Sequence, residues 1–164
     1  MDKIERLKFT IQRIDHYYSG VNIKGSFFLG VNTFLLGGCL ASLQSDSLDQ
    51  IGLQVGINFL LIALTSLLSI AYVLWAILPF LKNGKSYDYE SLIFFGSIAD
   101  MDFGKYNSDL EMTSEDEFEK DLTRQIHTLS VGLKKKFLRI RTAGITLFIS
   151  ILLSISFFYQ IINC

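Results

Sequence analysis

Apolar residues in this chain gather into three long runs. Residues 25–45, 50–81 and 142–164 hold no ionisable Asp, Glu, Lys, Arg or His. An α-helix rises ~1.5 Å per residue and the hydrocarbon core of a bilayer is ~30 Å thick, so about 20 apolar residues span it. Each run reaches that length, which predicts three transmembrane helices. The alternative is a soluble bundle of three helices, apolar on every side, with one face of each set against water.

Outside the runs the pattern becomes periodic. In "MDKIERLKFTIQRIDHYYSGVNIKG", Ile4, Leu7, Ile11, Ile14, Tyr18 and Val21 alternate steps of three and four, a heptad seam with polar residues between. It predicts an amphipathic helix packed on a partner helix, with a helix lying in the membrane interface as the competing reading. The partner is visible downstream. "TSEDEFEKDLTRQIHTLSVGLKKKFLRIR" opens on a capping box, Ser114 with Glu117, and carries acids first and cations later, as a helix dipole favours. Phe118, Leu122, Ile126, Leu129, Leu133, Phe137 and Ile140 form its apolar stripe. The stripe runs into the third apolar run, so one helix is expected from about Ser114 to about Ile161. Between the two lies "LPFLKNGKSYDYESLIFFGSIADMDFGKYNSDLEM". Pro79 sits near the inner end of the second span, where it can kink the helix, "NGKS" reads as a turn, and "LIFFGSIA" stays open between a strand, a buried hook and an interfacial segment.

The predicted fold is therefore an all-α membrane protein: three transmembrane helices with a cytoplasmic helical extension, the N-terminal helix packed on the long stem of the third. The boundaries are a cytoplasmic amphipathic helix over 1–22, a first span over 23–45, an external loop over 46–50, a second span over 51–81, a cytoplasmic hook over 82–113, a stem helix over 114–141 and a third span over 142–162.

Composition agrees. Half of the 164 residues are apolar and the mean hydropathy is +0.37. The net charge of −1 gives no field for nucleic acid. The placement of charge says more than its sum. Lys3, Arg6, Lys8, Arg13 and Lys24 precede the first span, and the other ten cations lie between the second span and the third. The link between the first two spans holds Asp46 and Asp49 but no cation. By the positive-inside rule the N-terminus is cytoplasmic and the C-terminus periplasmic or external. The "KKKFLRIR" block then stops the third span from sliding outward, with Arg139, Arg141, Trp75 and Pro79 at the membrane interface. "LGGC", ending at Cys39, resembles a lipoprotein cleavage box, but the charged region before it is far longer than a signal n-region. Cys164 is expected outside, a lone thiol able to link two copies.

Catalytic patterns are missing from the sequence: no phosphate-cradling glycine loop, no cysteine metal set, no nucleophile elbow. His16 and His127 sit on different predicted helices and read as solvated or interhelical rather than as a metal pair. No enzyme, cofactor or metal is expected. Within the spans are Asn32, Thr33, Gln54, Asn58, Thr65, Ser66, Ser69 and Ser150 but no acid or base, which suits helix–helix adhesion or a water path rather than a proton relay. Three helices enclose little lumen, so a pore would take several copies, and the seam and small residues offer a route to a homo-oligomer.

The chain resembles the Pycsar transmembrane effector family of bacterial anti-phage defence. "NIKGSFFLGVN" is similar to that family's acidic-x-Lys-Ala element, apolar run and Asn, with Asn22 in place of the acid and Gly25 in place of Ala. A proline follows the second span, and "FFGSIA" is similar to an aromatic-aromatic-Gly-x-Ile-Ala element. Asp121, Gln125, Ile126, Lys136, Phe137, Arg141 and Ala143 then match in order. The resemblance implies an inner-membrane effector in which a partner cyclase makes a cyclic nucleotide, a cyclic pyrimidine mononucleotide, and the effector impairs the membrane so that the infected cell is arrested or killed. It places the candidate ligand contacts at Lys24, Phe94, Phe95, Gly96, Asp121, Arg124, Gln125 and Lys136, the cations answering a phosphate charge. The competing function is a passive membrane scaffold or a small transporter or assembly subunit.

Overall fold

A computed structural model of the chain describes residues 2–45, 52–78 and 90–162. Among these residues five helices follow in order: α1 (Lys3–Ser45), α2 (Leu53–Ile77), α3 (Phe95–Asp100), α4 (Phe103–Met112) and α5 (Glu115–Ile162). Among the described residues there is no strand. The protein is an all-α membrane protein, and α1, α2 and α5 are each long and apolar enough to cross a bilayer. Pro79, Cys164, the 46–50 link and the "NGKS" turn lie outside the described residues.

Each long helix follows from its pattern. The inward side of α1 keeps steps of three and four for its whole length: Ile4, Leu7, Ile11, Ile14, Tyr18 and Val21 continue as Gly25, Phe28, Asn32, Leu35 and Cys39, while the positions between are mostly exposed. Gly20 does not break it. Helix α2 ends after Ile77, and Leu78 takes φ −51°, ψ 134°, the extended setting that a following proline in the sequence imposes. Helix α5 opens on the expected capping box. The Glu117 amide donates to Ser114 Oγ at 3.4 Å and the Ser114 amide donates back to Glu117 Oε2 at 3.0 Å. "LIFFGSIA" is resolved as a turn leading into the short helix α3. The Asp102 carboxylate caps α4 by accepting from the Gly104 amide at 2.9 Å.

The contacts fall into two compact units, Met1–Ser19 with Pro79–Lys134, and Gly20–Leu78 with Lys135–Cys164. In the first unit the N-terminal helix packs on the long C-terminal helix. The Tyr18 hydroxyl donates to the Leu129 carbonyl at 3.0 Å, and Lys3 pairs with Glu119. A side chain at Gly132 would meet that hydroxyl at 2.7 Å, so the glycine is what lets Tyr18 reach the backbone. In the second unit α1, α2 and α5 form a three-helix bundle. Its apolar cluster is Cys39, Val55, Ile62 and Phe157, and its outer surface is made of exposed apolar side chains such as Phe34, Leu64, Phe148 and Ile155. An apolar exterior over a partly polar interior is the pattern lipid demands.

Candidate functional site

The first unit is organised around Ser91. Its hydroxyl donates to both oxygens of Asp121, at 2.8 and 3.0 Å. The same oxygen accepts from the Ile93 amide at 3.2 Å, the Phe94 amide at 3.0 Å and Gln125 Nε2 at 3.0 Å. The Leu92 amide donates to Asp121 Oδ2 at 2.9 Å. Asp121 and Gln125 lie one helical turn apart on α5 and so project from the same face. Together they clasp the start of the hook and leave Ser91 2 % exposed and Asp121 5 % exposed. Burial pushes the Asp121 carboxyl above its ordinary value, against the pull of the Leu92 amide and the Arg124 charge.

Beside this clasp opens a cleft of about 520 Å³ lined by Glu90, Leu92, Asp109, Met112, Thr113, Glu117, Phe118, Lys120, Asp121 and Arg124. That volume suits a ligand of nucleotide size. Its lining sorts by chemistry. Leu92, Met112 and Phe118 offer apolar surface, Lys120 and Arg124 offer cations, and Glu90, Asp109 and Glu117 offer acceptors for donor groups. Lys105 pairs with Glu90, and that hydrogen bond raises the Lys105 ammonium's pKa.

Two of the residues singled out from sequence, Asp121 and Arg124, line the cleft. Gln125 and the Phe94 amide belong to the clasp. The Phe94 and Phe95 rings lie tilted with centroids 5.0 Å apart. A side chain at Gly96 would meet the Phe94 ring at 2.6 Å, so only glycine leaves that ring its place. Lys24 and Lys136 belong to the second unit. Lys24 sits 5.8 Å from the centre of the Phe137 ring. Lys136 is 8 % exposed and donates through Nζ to the Ala76 carbonyl and, at 3.2 Å each, to those of Ile77 and Leu78. A cation on the last carbonyls of α2 meets both their hydrogen-bond demand and the negative end of the dipole.

In that unit Arg139 stacks 4.2 Å over the Trp75 ring and donates to the Trp75 carbonyl at 3.0 Å. With Tyr72, Lys135, Leu138 and Thr142 the pair lines a shallow hollow of about 280 Å³. Arg141 is exposed. Sequence reasoning missed Ser91, the hub of the clasp. Its only local signal was a serine ahead of an apolar run, and its partners stand about 30 positions away. Among the described residues no three His, Cys, Asp or Glu side chains gather as metal ligands.

The profile of the Pycsar effector protein domain matches residues 6–161. The chain matches no curated protein and no solved structure.

Proposed function

Because the chain belongs to the Pycsar effector family, a family of non-enzymatic membrane effectors in cyclic-nucleotide anti-phage defence, we propose that it sits in the inner membrane and damages it on command. The N-terminus is cytoplasmic and the C-terminus periplasmic, as the cation distribution favours. A partner cyclase makes a cyclic pyrimidine mononucleotide during infection. The effector binds it, assembles as a homo-oligomer and opens a leak that arrests or kills the cell.

The observation that carries this reading is the cleft on α5. The helix that carries Asp121 and Arg124 also supplies the third apolar run. In the proposed complex Arg124 and Lys120 face the cyclic phosphate. Phe118 and Met112 pack on the base. Glu90 or Asp109 accepts from an exocyclic amine, as carboxylates do from cytosine. Phe94, Phe95, Gly96 and Gln125 shape the hook from behind. Lys24, in the second unit, is kept as a separate contact for the messenger's charge, while Lys136 ties α5 to the end of α2 through the carbonyls of Ala76, Ile77 and Leu78. Trp75, Arg139 and Arg141 hold the headgroup level.

A ligand shifts such an equilibrium only by its difference in affinity between the two states. Binding to the cleft therefore has to favour one packing of the hook against α5. The test is dye entry and depolarisation in cells supplied with each cyclic mononucleotide at confirmed expression. The expected result is a leak with a pyrimidine messenger, strongly reduced in Arg124→Ala. No leak with any messenger, together with stable association with a transport or assembly partner, would replace this reading with the scaffold one.

A further inference from the structure

The interior of the three-helix bundle is polar over much of its length. Asn32 Nδ2 donates to Ser69 Oγ at 3.0 Å, and the Ser69 hydroxyl donates to the Ala143 carbonyl at 2.9 Å. The Ser150 hydroxyl reaches Thr65 Oγ1 at 2.8 Å, and the Ser154 hydroxyl reaches the Ser150 carbonyl at 2.8 Å. Further along, Asn58 Nδ2 donates to Ser156 Oγ at 3.3 Å and to Gln160 Oε1 at 3.4 Å. From Ala143 to Gln160 this column extends roughly 25 Å at 1.5 Å per residue, close to the ~30 Å of a hydrocarbon core. Helix adhesion accounts for the paired groups. It does not account for two others. Asn32 Oδ1 and Ser66 Oγ are buried, each in a residue 0 % exposed, and neither has a hydrogen-bond partner among the described residues. In a membrane interior such groups are costly unless something polar reaches them, and the partner they fit is water. The same bundle holds an apolar cluster of Cys39, Val55, Ile62 and Phe157, and apolar side chains beside a polar path are of the kind that gate by dewetting.

We propose that this column is the lining of the leak. The resting bundle holds it dry, and activation turns Asn32, Asn58, Ser66, Ser69, Ser150 and Ser154 toward water, within a parted bundle or between copies. The permeants are water and small monovalent ions. No acid or base lies in the three apolar runs, so the path discriminates weakly between cations and anions. The inference rests on the membrane-leak reading above and adds which face of each helix meets the permeant.

The experiment uses the full chain with Cys39→Ala and Cys164→Ser, reconstituted in lipid vesicles. Single cysteines are placed at Ser66→Cys and Ser150→Cys on the column, and at Leu64→Cys and Phe148→Cys on the exposed apolar surface. A small, charged, membrane-impermeant thiosulfonate is the probe, with and without the cyclic nucleotide that triggers leakage. The column cysteines are expected to react about tenfold faster or more once the open state is populated, with the leak falling as they are modified, while the surface cysteines stay unchanged. A leak that flows while both column cysteines remain protected overturns the lining and leaves the effector reading standing. The absence of leakage with every cyclic nucleotide overturns both.

Discussion

Asp121 shows how one side chain ties chemistry to the fold. Burial raises its pKa above the ordinary 3.8, so the folded first unit holds that proton more tightly than the unfolded chain does. Its contribution to stability therefore grows as pH falls through the raised value and levels off below 3.8. Glu117 runs the other way. The Ser114 amide and hydroxyl pull its carboxyl below the ordinary 4.5, so the capping box stabilises above that value and is lost as pH falls through the depressed one. Amide exchange at Leu92, Phe94 and Phe118, followed against pH, separates the two. Asp121→Asn is expected to remove the acid-side gain at Leu92 and Phe94. Glu117→Gln is expected to remove the acid-side loss at Phe118. Identical pH profiles for all three chains would contradict both assignments.

At the scale of elements, α1 and α5 were legible because helical periodicity is local. Ile4 to Val21 announces an inward stripe, and the Ser114–Glu117 box announces a start, without knowledge of any distant contact. The hook was less legible. Helix α3 has 6 residues and α4 has 10, too short to be stable on their own. They are held by a clasp whose halves lie about 30 positions apart, so "FFGSIA" could not be told from a strand by periodicity. The same limit hid the role of Lys136. Its place in a basic block suggested phosphate or headgroups, whereas its hydrogen bonds go to the end of α2. Close approach between helices yields a graded prediction. A Cβ at Gly25 would meet Ile77 Cδ1 at 2.7 Å, and Ile77 Cγ1 and Val73 Cγ1 at 3.1 and 3.2 Å. The nearest atom is the far end of a flexible side chain. Gly25→Ala is therefore expected to cost below about 1 kcal/mol, and Gly25→Leu about 1–3 kcal/mol or a separation of α1 from α2. Thermal unfolding in detergent checks the order, and equal costs would show that the helices are not in contact there.

At the scale of the whole molecule, two helices belong to both units. Helix α5 runs 48 residues without interruption, a contour of about 70 Å, and α1 runs 43. If binding in the cleft is to reach the apolar bundle, α5 is the covalent route. A proline inside a helix removes a backbone hydrogen bond and costs about 3 kcal/mol or more. Lys135→Pro is expected to keep messenger binding, measured by calorimetry, while abolishing the leak, with Lys135→Ala retaining both. A leak of wild-type size in the proline variant would show that the signal does not travel along α5. The stacking of Arg139 on Trp75 has a practical consequence. The chain contains one tryptophan, and it is pinned beneath a guanidinium carried by the neighbouring helix. Indole emission depends on such a nearby charge, so the protein carries its own optical gauge. Any slippage of α5 past α2 will register as a change of colour and brightness, with no dye attached.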